Sequence, residues 1–218
     1  MFWAVDLPDR AAWAAERRKG IGGSDAAAII GRHPSRSNVD LYLEKTGQVE
    51  PADIGDRPYV RYGIAAEPLI RDLFALDYPE YRVEYHENRI LRCKEFPFLQ
   101  ASLDGELTDP AGRRGILEIK TSSPMTAAQW KKWDGRIPDH YYIQVLHYLI
   151  VTGYQFAVLR AHLTGTWEDR RDRRTFVRHY FIERSEVEED LRWLLPQETR
   201  FWKHVEEGRR PPLVLPEL

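Results

Sequence analysis

Apolar and polar positions divide this chain into a helix-rich beginning, a strand-rich centre and an alternating end. Residues 9–19, DRAAWAAERRK, are strong helix formers. Gly20, Gly22 and Gly23 break that helix, and Ser24 restarts one as N-cap of SDAAAIIG, which ends at Gly31. A third helix starts at Ser37, with Asp40 as capping-box partner, and ends at Gly47. After a polar loop over 48–57, residues 58–76 read as a helix with Leu69, Ile70, Leu73 and Phe74 on one face and a kink at Pro68, beside Glu67. Alternation predicts strands at 81–92, 96–107 and 115–121, the last two joined by the turn Asp109-Pro110-Ala111-Gly112. A helix follows Pro138 and ends at Gly153, then strands at 155–163 and 175–183 flank the charged turn WEDRRDRR. Ser185 with Glu188 predicts a capping box for a last helix to Glu207, kinked near Pro196, before a proline-rich tail whose Leu213, Val214 and Leu215 dock on this subunit or on a neighbour. The order predicts an α/β (α+β) fold, a central mixed sheet of about five strands flanked by helices.

A length of 218 residues suits one domain, here a helical N-terminal part (9–47), a core (58–183) and a C-terminal helix and tail (185–218). With 43% hydrophobic and 30% charged residues the chain is globular, and it has no apolar run near the roughly 18–20 residues of a membrane span. The N-terminus lacks a basic region followed by an apolar one, so a cytoplasmic protein is expected. A single cysteine, Cys93, excludes an intrachain disulfide, a cysteine zinc cluster and a four-cysteine iron–sulfur cluster. The net charge of −2 makes no global case for nucleic-acid binding, which must rest on local patches. One such patch is Trp130 and Trp133 with Lys131, Lys132 and Arg136. Either the tryptophans stack on bases while the cations hold a phosphate backbone, or the rings are core and the cations solvated. The glycine loop before Ser24, with Arg17 or Arg18 nearby, is either an anion site at a helix N-terminus or a plain helix–loop–helix.

The central hairpin carries the sharpest chemistry. Asp104 and Glu118 lie equally far from Ala111, so they face each other across the strands, and Lys120 shares their face two residues on. Two carboxylates about 4 Å apart repel by roughly 4 kcal/mol at an effective dielectric near 20. One must protonate or a cation must sit between them, and Mg²⁺ suits two carboxylates, water and phosphate oxygens. Asp-x(13)-Glu-x-Lys is also the PD-(D/E)xK nuclease pattern, with Leu103 in place of the proline. Alone, it equally describes a solvated strand face.

Five motifs in order remove that ambiguity: W13-x(3)-R17-x(3)-I21-x(2)-S24 with DAAAIIG, G63-x(3)-E67, A101-S-L-D104-G, L117-E118-I119-K120, and Y141-x(2)-Q144-x(3)-Y148. Together, from about Trp13 to Ile182, the chain resembles the phage recombination exonucleases of the lambda exonuclease / YqaJ type. The resemblance implies a restriction-endonuclease-like core and 5′→3′ digestion of linear duplex DNA from 5′-phosphorylated ends, leaving 3′ single strands for an annealing protein. It implies Asp104, Glu118 and the Ile119 carbonyl as metal ligands, with Glu67 completing the cluster directly or through water. Two Mg²⁺ ions per site are expected, with Mn²⁺ able to substitute. Lys120 is implied beside the attacking water, Gln144 beside the water or scissile phosphate, and Arg17, Ser24 and Ser102 around the terminal 5′-phosphate. A family arginine after that serine fits neither Arg32 nor Arg36 cleanly, so both stand as possible DNA-backbone contacts. The resemblance also implies a homotrimeric ring around DNA in a bacterial host. Two other functions compete: a restriction-type or structure-specific endonuclease of the same fold, and a catalytically silent DNA-end-binding module.

Overall fold

The structure is a computed structural model that describes residues 2–166 and 173–215. The chain enters the fold through a strand (β1, Phe2–Asp6) that the sequence pattern does not reveal, because its five residues alternate too briefly beside a Pro. Asp9 then caps α1 (Arg10–Arg17) by accepting from Ala12 N–H at 2.8 Å. The glycine loop leads into α2 (Gly23–Ile29), and here the expected cap is corrected. The N-cap is Gly22, and Asp25, three residues on, reaches back to the Gly22 N–H at 3.0 Å. A carboxylate at that position satisfies a free N–H and opposes the positive helix end, which releases Ser24 for another partner. Ser37 caps α3 (Asn38–Lys45) with Asp40 as expected.

The long helix α4 (Pro58–Asp77) buries Ile70 and Phe74, whereas Leu69 and Leu73, expected beside them, are exposed. Only every third or fourth residue can face the sheet, and Ile70 and Phe74 take that row.

The two stretches expected as long strands, 81–92 and 96–107, are each broken at the same level. The first splits into β2 (Arg82–Glu84) and β3 (Arg89–Cys93), the second into β4 (Gln100–Ala101) and β5 (Gly105–Thr108). Asn88, with φ 52°, makes one break, and Ser102-Leu103-Asp104 makes the other. The halves part company: β1-β3-β4 form a small antiparallel sheet, while β2 and β5 join a larger one. That sheet runs β2-β5-β6-β7-β8, with β6 (Arg114–Ser122), β7 (Phe156–Thr166) and β8 (Arg173–Glu183). Only β6 and β7 are parallel, and the crossover between them contains α5 (Ala127–Lys131) and α6 (Asp139–Thr152). The expected turn at 109–112 holds. Asp109 Oδ1 accepts from Ala111 and Arg113 N–H at 2.9 and 2.8 Å, and Gly112 takes φ 79°. Of the turn WEDRRDRR, residues 167–172 lie outside the described residues. The chain closes with a 3₁₀ turn (Arg184–Glu186) and α7 (Glu188–Glu206). Ser185 is therefore not the cap of that helix, since the 3₁₀ turn intervenes and Arg184 bonds Glu188 at 2.9 Å.

The larger sheet is covered on both faces. On one, α4 packs Ile70 and Phe74 against Leu117, Ile119, Phe156 and Val158. On the other, α2, α6 and α7 share the main core with Ile116, Leu159, Ala161 and Leu163. The tail docks on this subunit: the Asn38 side chain donates to Pro212 O at 2.7 Å and accepts from Val214 N–H at 2.9 Å. Trp133 is buried and Trp130 packs edge-on against Phe176, so these rings belong to the core. Lys131, Lys132 and Arg136 stay at the surface. Among the described residues no helix is long and apolar enough to cross a membrane.

Helix α6 carries a buried ion pair. His147 Nδ1 lies 2.6 Å from Glu198 Oε1 on α7, and Nε2 lies 2.8 Å from the Gln100 carbonyl oxygen. A carbonyl only accepts, so Nε2 carries a proton. Burial opposes a charge on the ring, but Glu198 outweighs it and raises the His147 pKa. Removing one partner leaves the other stranded without solvent. Glu198→Ala is expected to lower unfolding free energy by about 3–5 kcal/mol in urea titration; a loss below about 1 kcal/mol would mean the pair is not charged.

Candidate active site

The hairpin register decides the first step. Gly105 pairs with Leu117, so Asp104, one residue before β5, stands beside Glu118 on β6. Asp104 Oδ2 accepts the Ile119 N–H at 2.8 Å, which anchors it across the strand. Lys120 Nζ lies 2.5 Å from Glu118 Oε1, and its ammonium sits 4.8 Å from the Tyr141 ring centroid. Gln144 Nε2 on α6 donates to the same Glu118 oxygen at 2.7 Å and lies 3.1 Å from the Tyr148 hydroxyl. The third carboxylate, Glu67, comes from α4. That helix approaches β6 at Gly63, where an added Cβ would lie 3.3 Å from Thr121 Oγ1. Arg71 is one turn further along, donating to Glu67 Oε1 at 2.7 Å and to the Asp104 carbonyl oxygen at 2.5 Å.

Three buried or half-buried carboxyls thus share two cations, Lys120 and Arg71. The shortage shows in their acidities. Burial, then the neighbouring Asp104 charge, pushes Glu67 up to about 7 and Glu118 up to about 8. Burial likewise raises Asp104, although Lys120 and the Ile119 N–H oppose it. Lys120 is raised: burial acts against its charge, and Glu118 and Asp104 overcome that. Without a metal it is therefore an ammonium.

The same cleft, about 1300 Å³, has a positive wall. Arg17 donates to Ser24 Oγ at 2.5 Å, and Ser24 sits in the first turn of α2. Asp25 fixes that turn from behind. It is buried, and although burial pushes its carboxyl up, Lys45 at 2.8 Å and Arg36 at 2.6 Å hold it well below the usual range. Arg36 also bonds Glu44 at 2.9 Å and the Ser24 carbonyl oxygen at 3.2 Å. Arg36, a possible DNA-backbone contact by the family resemblance, is bonded to three protein oxygens around the loop. Arg32 stands 3.5 Å from Asp139 at the surface. Ser102 accepts from Trp13 Nε1 at 3.0 Å and lies 3.2 Å from the Arg89 carbonyl oxygen. The two walls meet at Gly23, where a Cβ would fall 2.5 Å from Tyr148 Cε1 and 2.8 Å from Gln144 Cγ. Only glycine lets α2 lie this close to α6.

Residues 12–155 match the family described as the YqaJ-like viral recombinase domain. The chain belongs to this family. It is 32% identical over 205 residues to the uncharacterized protein YqaJ of Bacillus subtilis (strain 168), covering 92% of this chain. It spans 57% of that relative's length. The fold matches an alkaline exonuclease from Laribacter hongkongensis with a TM-score of 0.64 at 18% identity, over 90% of this chain and 92% of that one. A phage-related exonuclease from Haemophilus somnus 129PT matches with a TM-score of 0.55 at 13% identity, over 87% and 96%.

The cleft brings together Glu67, Asp104, Glu118, Ile119, Lys120, Gln144, Arg17, Ser24 and Ser102, and leaves Lys131, Lys132 and Arg136 outside its lining. Two further lining residues, Arg71 and Arg10, were not singled out by sequence reasoning. The spacing of Arg71, four after Glu67 on a helix, was the available signal. A divalent cation fits the acidic wall on two counts. The donors are hard oxygens, and Glu118 Oε2 is buried with no hydrogen-bond partner. Among the described residues no three Asp, Glu, His or Cys side chains are grouped so as to hold a metal ion together, so the fit rests on the individual oxygens.

The acidities set a pH dependence. The unfolded chain releases the Glu67 and Glu118 protons near the ordinary 4.5, the folded one near 7 and 8. Across that window the unfolded state binds fewer protons, so stability of the metal-free protein falls as pH rises. A bound cation offsets the repulsion most where the carboxyls are ionised. In scanning calorimetry the Tm gain from Mg²⁺ is expected to be larger at about pH 8.5 than at about pH 6. Equal gains would remove these carboxyls as ligands.

Proposed function

We propose that the protein is a metal-dependent 5′→3′ exonuclease on linear duplex DNA. It prefers 5′-phosphorylated ends, releases mononucleotides and leaves 3′ single strands for a phage-type annealing protein. The observation that carries this reading is one cleft with a cation-deficient carboxylate wall opposite a wall formed by Arg17, Ser24 and Ser102. Asp104, Glu118 and the Ile119 carbonyl, with Glu67 directly or through water, would hold one or two Mg²⁺ ions, with Mn²⁺ as substitute. Bound there, the metal supplies Lewis acidity toward the phosphate and lowers the pKa of water. Gln144 fixes the Glu118 carboxylate through its 2.7 Å bond. Lys120, tethered between Glu118 and Tyr141, presents its ammonium to the attacking water and the phosphate oxygens. Arg17 and Ser24 hold the terminal phosphate, and a charged anchor beside the reacting centre selects which bond is cut.

A restriction-type or structure-specific endonuclease needs no terminal anchor. A silent end-binding module has no use for the Asp104, Glu118 and Lys120 set. Incubation with Mg²⁺ of three duplexes, 5′-phosphorylated, 5′-hydroxyl and closed circular, tests all three readings. Mononucleotides released fastest from phosphorylated ends, with the circle untouched, are expected. A nicked or linearised circle would favour the endonuclease, and no release at all the silent module.

The same proposal includes self-association, in the three-copy ring that the family resemblance implies. In support, α4 leaves Tyr62, Leu69, Leu73 and Leu76 at 58, 64, 44 and 75% exposure, an apolar row suited to another copy of this chain. Light scattering is expected to give three times the 25.6 kDa of one chain; a monomer mass would remove the ring.

A further inference from the structure

Arg10 has no role in the reading above, yet its placement is unusual. It is the first residue of α1, where the helix dipole disfavours a positive charge, and no acidic residue occupies that first turn. Its guanidinium lies 3.8 Å from the centroid of the Trp13 ring, and that of Arg17 lies 5.0 Å from the same centroid. Two cations are thus gathered on one indole, and among the described residues neither forms an ion pair. Burial, then the Arg17 charge, lowers the Arg10 pKa, with Tyr85 and then Glu67 acting the other way. Arg10 therefore stands within electrostatic reach of both walls of the cleft that it lines. Trp13 is itself fixed, buried and bonded through Nε1 to Ser102 Oγ at 3.0 Å. The platform under the two guanidiniums is rigid.

A pair of unneutralised guanidiniums on a fixed indole calls for a ligand with more than one negative charge. A terminal phosphomonoester carries about −1.5 to −2 at pH 7, whereas each internal phosphodiester carries one. We propose that Arg10 is the second cationic arm of the terminal-phosphate pocket, held with Arg17 on Trp13, and that the two arms together select a 5′-phosphomonoester over an internal phosphodiester. Arg10 would bind through its planar fork, which Lys cannot reproduce. This inference rests on the reading of Arg17 and Ser24 as the end-binding wall.

The test measures binding of a labelled hairpin duplex bearing a 5′-phosphate or a 5′-hydroxyl, with Ca²⁺ in place of Mg²⁺ to hold back cleavage. The quantity read is the ratio of the two Kd values for the full chain and for Arg10→Ala, Arg10→Lys and Arg17→Ala. Arg10 lies outside the core, Trp13 being the buried residue of α1, so its variants are expected to fold, and thermal melts check this. Loss of a charge-assisted contact predicts a fall of about tenfold in the ratio for Arg10→Ala, with Arg10→Lys in between. A collapsed ratio in Arg17→Ala beside an unchanged one in Arg10→Ala would overturn the role of Arg10 and leave the end-binding wall intact. A ratio near one in the unaltered protein would overturn both.

Discussion

Three carboxyls share two cations at the centre of this molecule, and much of the architecture serves to keep that imbalance in place. Left to relax, Glu67, Asp104 and Glu118 would move apart or into water. They do not, because each is fixed by a different kind of bond. Asp104 is tied to the Ile119 N–H, Glu118 to Lys120 and Gln144, and Glu67 to Arg71. Arg71 also holds the Asp104 carbonyl oxygen, so the α4 carboxylate and the hairpin carboxylate cannot drift independently. The result is a stored demand for positive charge, with one Glu118 oxygen buried and unpartnered.

The opposite wall is built on a reversed arrangement. Buried Asp25 is surrounded by cations and a backbone N–H, and it spends its charge inside the protein to shape the glycine loop. Arg17, whose charge also acts on Asp25, and Arg10 line the cleft itself. Carboxylates in search of a cation thus face guanidiniums in search of an anion, and Gly23 sets how closely the two walls approach.

How far this was legible in the sequence depended on the range of the interaction. The Asp104–Glu118 pairing could be counted out along the chain, because a two-stranded register with a recognisable turn is a local object. Capping of α3 by Ser37 and termination of α6 at Gly153 were local too. The breaks at 85–88 and 102–104 were not. Alternation runs through both, and only the competition between two sheets for the same strands separates the halves. Ser24 looked like a cap because a serine after glycines usually is one, until Asp25 took that bond from inside the helix. The tryptophans at 130 and 133 could be read as base-stacking or as core because their ring partners Phe176 and Tyr180 are distant in sequence. Arg10 looked like one more charge on an exposed helix. Its meaning comes from Trp13, on whose ring it meets Arg17.

Helix α6 joins the two sheets to each other. Gln144 bonds Glu118 on the larger sheet, and His147, less than one turn later, meets the Gln100 carbonyl oxygen on the smaller one. A single buried helix is therefore pinned to both sheets at the level where the long strands break. Glu198 on α7 bonds His147 from behind, so the two sheets are tied to each other through one helix where the strands break.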